Sequence, residues 1–497
     1  MKLKLKNVGI INKADVNLNG LTVITGENGS GKTTVGKALF ALLDSVENID
    51  KKALNDKRNF TSKEIQKILS LQELSYLRYI LNEKNNNSAN DSNEEPEETI
   101  LDYINKKMPF CENVEELLAY INHIQDLLRQ FDHEKIVNDA SNKFSKSLYG
   151  NLFANYNKNL EQALDKLEKL KEIILSDPEL HHYASDWILL TLNEEFSSQI
   201  CPIMFNPDSD GSEEKPSSEL KLSDGENIVT TVKVKNNTKY SIDYNRFNNN
   251  VSHIFLLDNI VDIDYAGELT SSSRVQFGIT HDDKNLPLGY IDYINSRRPL
   301  SHNEKNRKLL TEERKISIIE SDAIADSLKT VFAYVDEIIP GSFIKWQNNL
   351  YYTVNSSKLN VKNLASGSKA FAILKILLEK GFVNEKTILV LDEPEVHLHP
   401  QWQNKFAELL VLLVKELNVK IVLTTHSPNF LLALETFRKK YELGDAFSAY
   451  VAECSSTQGS TIEEITDDLE KAYTHLAHPY LEMDALRDSL ESEDSED

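Results

Sequence analysis

Short apolar runs separated by polar turns dominate the start of the chain. Strand-like patterns cover residues 2–6, 14–18 and 21–25, and the turn between the last two falls at 17–20. From residue 32 to about residue 43 the apolar positions instead follow helical spacing. The pattern predicts two or three strands followed by a helix.

Helical spacing continues through the next part of the chain. It is irregular between residues 50 and 82, where 62–71 is one helical patch, and it becomes regular from residue 114 to about residue 175. Leucine and isoleucine recur there at intervals of three and four, but the heptads are too few for a long coiled coil. A short helical hairpin and an ordinary helical subdomain both fit this pattern.

β-forming residues return in the middle of the chain. They cluster at 220–222, 228–234 and 240–244, as expected for a small antiparallel ribbon, and 253–257 is a candidate for a buried strand.

Two polar segments, 83–98 and 206–218, contain no apolar side chain larger than alanine or proline. They cannot offset their ordering entropy by burial, so both are predicted as loops, the first of them disordered. A third segment, 296–315, is rich in lysine and arginine, but acidic residues interrupt it and no aromatic residue is interleaved. A solvated helix face explains it better than a phosphate-contacting patch does.

The densest pattern follows residue 363. A helix is predicted over 370–380, which Gly381 would end, and the apolar strand that follows runs from 387 into Asp392 and Glu393. An amphipathic helix over 401–417 and a strand over 419–425 come next. Strands that alternate with helices in this way predict an α/β fold.

Length, charge and cysteine usage narrow the class of protein. A chain of 497 residues has room for two to four domains, and its net charge of −23 opposes non-specific nucleic-acid binding, so contact with DNA would need a local basic patch or a partner. The longest apolar run, 409–414, is far shorter than the roughly 20 residues that span a bilayer. Three scattered cysteines form no paired motif and indicate cytosolic thiols. We therefore expect a cytoplasmic protein.

The glycine-rich turn between the third strand and the first helix has the P-loop pattern G-x-x-x-x-G-K-[ST]. Its glycines let backbone N–H groups converge on phosphate oxygens, and the helix N-terminus adds partial positive charge. Lys32 would reach the β- and γ-phosphates, and the Thr33 hydroxyl would ligate Mg²⁺. The predicted nucleotide-binding residues here are Gly26, Asn28, Gly29, Ser30, Gly31, Lys32, Thr33 and Thr34.

The strand ends in the second half carry the complementary chemistry. In a P-loop protein Asp392 is expected to hold Mg²⁺ through water, and Glu393 to polarise the attacking water as a general base. His426, at the end of the next strand, can hydrogen-bond the γ-phosphate. Glu393, His426 and Lys32 are therefore the predicted catalytic residues, and Thr33 and Asp392 the predicted metal ligands.

Three further features lie near these strands. Ser366 and Gly367 stand at a helix N-terminus and form a second anion site. His397 and His399 have the spacing of a metal-binding pair, but no further ligand cluster accompanies them, so a metal site there is the weaker interpretation. Glu395 is expected to make a loop contact across a dimer interface rather than to act as a third carboxylate.

In this order, the P-loop, the Ser-Gly helix, the Asp392-Glu393 pair and His426 resemble the motifs of ATP-binding-cassette ATPases. More than 300 residues lie between residues 34 and 366, which resembles the SMC/RecF/OLD branch. That resemblance implies an α/β P-loop NTPase of the ATP-binding-cassette type, split into two lobes by a helical and β-rich insertion. Residues 363–430 resemble more closely the bacterial AAA family ATPases related to the ATPase subunit of Septu anti-phage defence systems.

This resemblance implies a head-to-tail dimer, or a higher oligomer of the chain with itself. ATP and Mg²⁺ would lie between Lys32 and Thr33 of one subunit and Ser366 and Gly367 of the other. The signature departs from the transporter sequence LSGGQ and runs ASGSK here. Gln276 is the candidate for the family's Q-loop glutamine, and the residue that contacts adenine is unplaced.

A domain division follows from these patterns. We predict an N-terminal ATPase lobe with the P-loop at 1–80, a disordered acidic loop at 81–99, a helical insertion at 100–205, a flexible loop at 206–218, a β-ribbon and mixed linking region at 219–330, a C-terminal ATPase lobe at 331–480 and an acidic tail at 481–497.

Three functions fit the sequence. The first is an ATPase sensor subunit of an anti-phage complex whose effector, such as a nuclease, is a separate protein. The second is a RecF-like ATPase that acts directly on DNA in repair or end sensing, and the third is a scaffold that uses ATP only to hold a dimer. Acidic net charge favours the first over the second, and a hydrolytic Glu393 with His426 argues against the third. The segment after His426 is too short for the Toprim nuclease of the OLD family, so a built-in nuclease is not favoured.

Overall fold

Strands from both ends and the middle of the chain join one sheet in the computed structural model. The structure describes residues 1–69, 111–130, 156–175, 180–202, 217–245, 251, 253–258, 299–311, 318–346, 349–355, 357–455 and 459–493. The predicted loop at 83–98, most of the loop at 206–218, and Gln276 lie outside these residues.

The strands of the described residues include every strand predicted from the apolar pattern. Their bounds are β1 Lys2–Val8, β2 Ile11–Asn17, β3 Leu21–Gly26, β4 Ser217–Asp224, β5 Asn227–Lys235, β6 Lys239–Tyr244, β7 His253–Leu257, β8 Ser342–Trp346, β9 Asn349–Val354, β10 Ser357–Asn360, β11 Thr387–Asp392, β12 Lys420–Thr425, β13 Phe447–Ser455 and β14 Gly459–Glu464.

The helices fall between and after these strands. Their bounds are α1 Lys32–Val46, α2 Ile49–Leu69, α3 Val114–Gln130, α4 Tyr156–Leu175, α5 Leu180–Glu195, α6 His302–Thr311, α7 Ile318–Ile338, α8 Ser366–Glu379, α9 Pro400–Leu417, α10 Pro428–Lys440 and α11 Glu470–Glu493. Helix α11 includes most of the predicted acidic tail. None of the described helices is both long and apolar enough to cross a membrane.

Two compact units contain these elements. The first comprises residues 1–47, 184–272 and 298–497, and the second comprises 48–183 and 273–297. The seven-part division predicted from the sequence stays a prediction.

The first unit contains an eleven-stranded sheet in the order β6-β5-β4-β1-β2-β14-β13-β3-β12-β11-β7 among the described residues. Strands β13, β3, β12, β11 and β7 are parallel neighbours. Parallel strands present their carboxyl ends along one edge, which is where α/β sheets bind ligands. The strand ends singled out from the sequence therefore meet at one edge. The predicted antiparallel ribbon, β4 to β6, is confirmed, and β4 joins it to β1 of this sheet.

Helix α1 lies close against the parallel strands because it carries a glycine at the contact. A Cβ atom at Gly36 would lie 2.9 Å from Val390 Cγ1 on β11, a distance that forces one of the two to move. Behind it, Leu39 and Phe40 are fully buried. This packing fixes the N-terminus of α1, and with it the P-loop, against the carboxyl edge of the sheet.

Helix α8 ends as predicted but starts earlier. Gly381 has a left-handed φ of +65°, its N–H donates to the Leu378 carbonyl, and the N–H of Phe382 donates to the Leu377 carbonyl. This pair of bonds is the Schellman motif that glycine favours. The helix begins at Ser366 rather than residue 370, so the Ser-Gly pair forms its first turn.

The second unit is helical in its described residues. Helix α2 is one continuous helix, where the sequence indicated only patches. Gln125 of α3 contacts Glu168 of α4 at 3.2 Å, and Lys57 of α2 donates to the Ile174 carbonyl at the end of α4. Since α4 packs on both α2 and α3, the structure favours the helical subdomain over an isolated hairpin.

A buried lysine ties α8 to helix α7 and to the β8-β9-β10 sheet in the first unit. Lys375 is 1% exposed, and its ammonium lies 2.6 Å from Asp336 Oδ1 and 2.8 Å from the Ile339 carbonyl. It also donates to the carbonyl of Gly341. The ammonium therefore satisfies the buried Ile339 carbonyl and the more exposed Gly341 carbonyl, both just after α7.

We expect Lys375→Met to lower the free energy of unfolding by about 2 kcal/mol, because it leaves the buried Ile339 carbonyl without a donor. Denaturant unfolding of the purified protein measures this change. The control is Lys439→Met, which removes a surface pair with Glu435 whose lysine side chain is 67% exposed. That change should cost at most about 0.5 kcal/mol. Equal stability of the two variants would contradict the prediction.

Candidate nucleotide site

The P-loop follows β3 directly and leads into α1. Gly26, Gly29 and Gly31 all have positive φ, at +147°, +77° and +88°. A Cβ atom at Gly31 would lie 2.8 Å from Ile11 Cγ1, and one at Gly26 would lie 2.5 Å from the Ala452 carbonyl oxygen. Glycine is required at these two positions by both backbone conformation and space.

The rest of the loop divides into exposed and buried residues. Asn28 and Gly29 are exposed, whereas Ser30 is buried and its Oγ has no hydrogen-bond partner among the described residues. The Ser30 carbonyl accepts a hydrogen bond from Ser460 Oγ at 2.6 Å. Ser460 of β14 thus anchors the buried end of the loop, while the tip of the loop at Asn28 and Gly29 is exposed.

Lys32 is 4% exposed and its ammonium lies at the centre of the loop. It donates to the carbonyls of Gly26 and Glu27, at 2.9 and 2.7 Å. It also lies 3.5 Å from Glu393 Oε1. The structure therefore brings together the P-loop lysine and the predicted general base, which are far apart in sequence.

The predicted metal ligands also meet. Thr33 Oγ1 donates to Asp392 Oδ2 at 2.7 Å, and Thr424 at the end of β12 donates to the other carboxylate oxygen of Asp392. Burial raises the pKa of Asp392, and hydrogen bonds from Thr424 and Thr33 oppose that rise. A hydroxyl and a carboxylate held this close are the hard oxygen donors that Mg²⁺ prefers, so these residues fit the ion.

Glu393 and His426 form the third pair. His426 Nδ1 lies 3.1 Å from Glu393 Oε1, and both side chains are partly exposed. The backbone of Glu393 is left-handed, with φ of +46°, and its N–H donates to Thr424 Oγ1 at 3.0 Å. Strained backbone of this kind persists where neighbouring contacts fix it, and here it points the loop after β11 toward β12.

Gly367 lies against the loop after β11. A Cβ atom there would be 3.1 Å from Leu398 Cδ2 and 3.3 Å from the His397 carbonyl oxygen. Ser366 is the first residue of α8. Val396 and His397, in the same loop, are exposed. The signature turn and an exposed part of this loop are therefore neighbours.

One interpretation of this loop needs correction. Glu395 is 2% exposed and accepts a hydrogen bond from Thr425 within its own chain, so the predicted contact across a dimer interface is wrong. Burial raises its pKa. His399 accepts from the Gln401 N–H at the start of α9, and the described residues contain no group of three metal-ligating side chains. The weaker metal interpretation of the histidine pair gains no support.

The basic segment 296–315 is described only at 299–311, and one lysine in that part differs from the prediction. Lys305 of α6 pairs with Asp44, in the last turn of α1, and with Glu47, which caps the C-terminus of that helix, at 2.7 Å. A solvated face is therefore wrong for this residue.

The sequence interpretation missed one group of residues at the same edge of the sheet. Asp258 follows β7, just as Asp392 ends β11, and Leu257 pairs with Leu391 in the parallel register. The signal was present, since a buried apolar strand that runs into a carboxylate is the feature that identified Asp392. Asp258 contacts His302, and His302 contacts Glu195.

A P-loop lysine, a strand-end aspartate bonded to the P-loop threonine and a strand-end glutamate at the carboxyl edge of a parallel sheet are the features of a P-loop ATPase. The AAA ATPase domain family (AAA_15) matches residues 1–431, and the chain belongs to this family. Membership of an ATPase domain family agrees with the enzyme class that the sequence predicts.

Two curated relatives share part of the chain. The Septu protein PtuA of Bacillus thuringiensis is 30% identical over 187 residues, which cover 33% of this chain and 46% of the relative. The retron Vc95 probable ATPase of Vibrio cholerae serotype O1 biovar El Tor is 24% identical over 195 residues, covering 37% of this chain and 35% of the relative. The matches thus span less than half the length of either relative.

Solved structures of SMC head domains were also compared. An SMC head bound to the C-terminal winged-helix domain of ScpA gives a TM-score of 0.38 at 12% identity, with 95% of this chain and 98% of that chain covered. The SMC head domain from Thermotoga maritima gives 0.33 at 11% identity, with coverage of 93% and 97%. The sheet order and the AAA ATPase domain family define the fold.

Proposed function

We propose that the chain binds MgATP between its P-loop and the residues that follow β11 and β12. The contact between Thr33 and Asp392 supports this proposal most strongly. It brings a P-loop hydroxyl and a strand-end carboxylate within 2.7 Å of each other, so both could contact one Mg²⁺ ion. Lys32 would bind the β- and γ-phosphates, and Gly26 to Thr34 would surround them with backbone N–H groups. Bound Mg²⁺ would neutralise phosphate charge during transfer.

Glu393 is proposed as the general base and His426 as its partner. The 3.1 Å approach of His426 Nδ1 to Glu393 Oε1 lets the imidazole orient the carboxylate toward a water molecule. His426 would also hydrogen-bond the γ-phosphate. Lys32, 3.5 Å from the same oxygen, would leave this carboxylate for the phosphates when ATP binds.

The second half of the site is proposed to lie on another copy of the chain. Ser366 and Gly367 begin α8 beside the exposed residues Val396 and His397. A surface of this kind can place a helix N-terminus on the γ-phosphate of a facing P-loop. The proposed assembly is a head-to-tail dimer, or a higher oligomer built on it.

The biological role that fits best is the ATPase subunit of a cytoplasmic anti-phage system that acts with a separate effector, such as a nuclease. Support comes from the two relatives, one from a Septu system and one from a retron, and from the net charge of −23. Direct action on DNA is the second candidate.

We expect cells that carry this chain with its neighbouring genes to reduce phage plating, and Lys32→Ala to abolish that protection. Plaque counts on isogenic strains measure it, with a purification of tagged protein from the native host to identify a co-purifying nuclease. No protection and no nuclease partner would contradict the defence role. Salt-sensitive, ATP-dependent binding of the purified chain to DNA would instead support the second candidate.

A further inference from the structure

Three charged side chains, Glu195, His302 and Asp258, contact one another beside the proposed metal site. They lie on the β7 side of β11, whereas the P-loop follows β3 on the other side. His302, the first residue of α6, is 7% exposed. Its Nδ1 lies 2.7 Å from Glu195 Oε2 and its Nε2 lies 2.9 Å from Asp258 Oδ2. Glu195 Oε1 also accepts from the His302 backbone N–H at 3.1 Å. The imidazole therefore lies between two carboxylates, hydrogen-bonded to Glu195 through Nδ1 and within ion-pair distance of Asp258 through Nε2.

Charge balance explains why this group stays ionised when buried. Burial alone would lower the pKa of His302, but the carboxylates of Asp258 and Glu195 outweigh that effect and raise its pKa to about 9. The pKa of Asp258 is lowered: burial acts to raise it, and contact with His302 together with the charge of Lys37 lowers it.

The position of Asp258 links this charge to the metal site. Strands β7 and β11 are parallel, and Leu257 lies opposite Leu391. The next residues are Asp258, which directly follows β7, and Asp392, which ends β11, so both carboxylates stand at the carboxyl edge of neighbouring strands. Lys37, whose charge reaches Asp258, stands one turn after Thr33 on α1.

We infer that Asp258 is a further carboxylate of the magnesium site, where it orients water molecules on the ion, and that His302 and Glu195 are positioning residues which fix it there. This inference rests on the proposed MgATP site. Metal ligands and bound waters depend on outer carboxylates for their orientation, and loss of such a partner weakens metal affinity by about 10- to 100-fold. Without His302, the Asp258 side chain could rotate away from the metal site. Its negative charge would also no longer be balanced near the phosphates.

The test separates binding of the metal from binding of the nucleotide. A fluorescent, non-hydrolysable ATP analogue is titrated into the purified 497-residue chain, first in EDTA and then across a Mg²⁺ series. For Asp258→Asn we expect the Mg²⁺ concentration at half-maximal binding to rise about tenfold. Affinity in EDTA should stay equal or increase, because one negative charge near the phosphates has gone. Mn²⁺ bound in the ternary complex, counted by electron paramagnetic resonance, gives an independent readout.

The positioning residues are tested in the same way. His302→Gln should raise the Mg²⁺ midpoint in the direction of Asp258→Asn, and Glu195→Gln, which keeps the shape and one acceptor, should raise it less. If His302→Gln does not fold, Glu195→Gln carries this part of the test. The matched control is Lys305→Met. Lys305 is a cation on the same helix and packs over the same Phe40 ring as His302, but it pairs with acids at the end of α1 and not with Asp258. It should lower thermal stability without moving the Mg²⁺ midpoint.

The outcomes that overturn the inference are distinct from failure of the site itself. An unchanged Mg²⁺ midpoint in Asp258→Asn removes Asp258 from the metal site. A shift in Asp258→Asn but not in His302→Gln or Glu195→Gln overturns the positioning role. Equal losses in EDTA and in Mg²⁺, shared by Lys305→Met, would show a general structural defect instead. Normal nucleotide binding by Lys32→Ala would overturn the proposed site, whatever Asp258 does.

Discussion

Lys32→Ala is expected to abolish measurable ATP binding and, with it, hydrolysis. The ammonium is 4% exposed and already lies at the centre of the P-loop, where it donates to the Gly26 and Glu27 carbonyls. Its loss removes the one positive side chain placed by the loop itself and leaves both carbonyls facing the phosphates. We expect affinity to fall at least about 100-fold, as for loss of a charge-assisted contact in a buried site.

Equilibrium binding of ATP by calorimetry, with a steady-state phosphate-release assay, measures this prediction. Lys405→Ala is the control, because Lys405 is an exposed lysine on α9 and its removal changes the net charge equally. That control should bind and hydrolyse ATP like the parent protein. Retained ATP binding in Lys32→Ala would place the nucleotide elsewhere on the chain.

The P-loop could be predicted because its chemistry is contained in nine consecutive residues. Gly26 and Gly31 are required by local φ and by contacts at 2.5 and 2.8 Å that a Cβ would make, and the pattern of strand, glycine turn and helix follows from the sequence alone. The ends of β11 and β12 were equally accessible, since apolar runs that stop at Asp392 and His426 mark the edge of a parallel sheet.

Residues that meet through tertiary packing could not be found in this way. Glu195 and His302 are separated by 107 positions, and no local spacing joins them to each other or to Asp258. Lys305 shows the same limit in another form. Its segment has the composition of a solvated helix, yet tertiary packing pairs this lysine with acids at the end of α1. Local sequence specifies which groups a strand end presents, whereas the sheet order decides which of them meet.

Glu395 shows how a motif can mislead when burial is unknown. It stands two residues after Glu393 in an exposed-looking polar loop, yet it is 2% exposed and bonded to Thr425. Burial raises its pKa, and its carboxylate oxygen accepts from the Thr425 hydroxyl, which an amide oxygen can also do. This property makes Glu395 the appropriate control for its catalytic neighbour.

Glu393→Gln is expected to lower the rate of ATP hydrolysis by about 1,000-fold while ATP binding is retained. A general base typically contributes between about 100- and 10,000-fold, and the amide cannot accept a proton from water. Lys32, Thr33 and Asp392 remain in place to bind the nucleotide. Affinity should even increase, since one negative charge 3.5 Å from the Lys32 ammonium has been removed.

Because hydrolysis is what would release a second subunit, the same variant should accumulate as an ATP-bound dimer of twice the 56.6 kDa chain mass. Light scattering after size-exclusion chromatography, with and without ATP and Mg²⁺, measures the mass, and a phosphate-release assay measures the rate. Glu395→Gln is the matched control and should hydrolyse ATP within a few-fold of the parent rate, because its carboxyl is buried and lies outside the reacting group. Turnover of Glu393→Gln at the parent rate would remove Glu393 as the base. Slow turnover without any ATP-dependent increase in mass would leave the base in place and contradict the shared site between two copies.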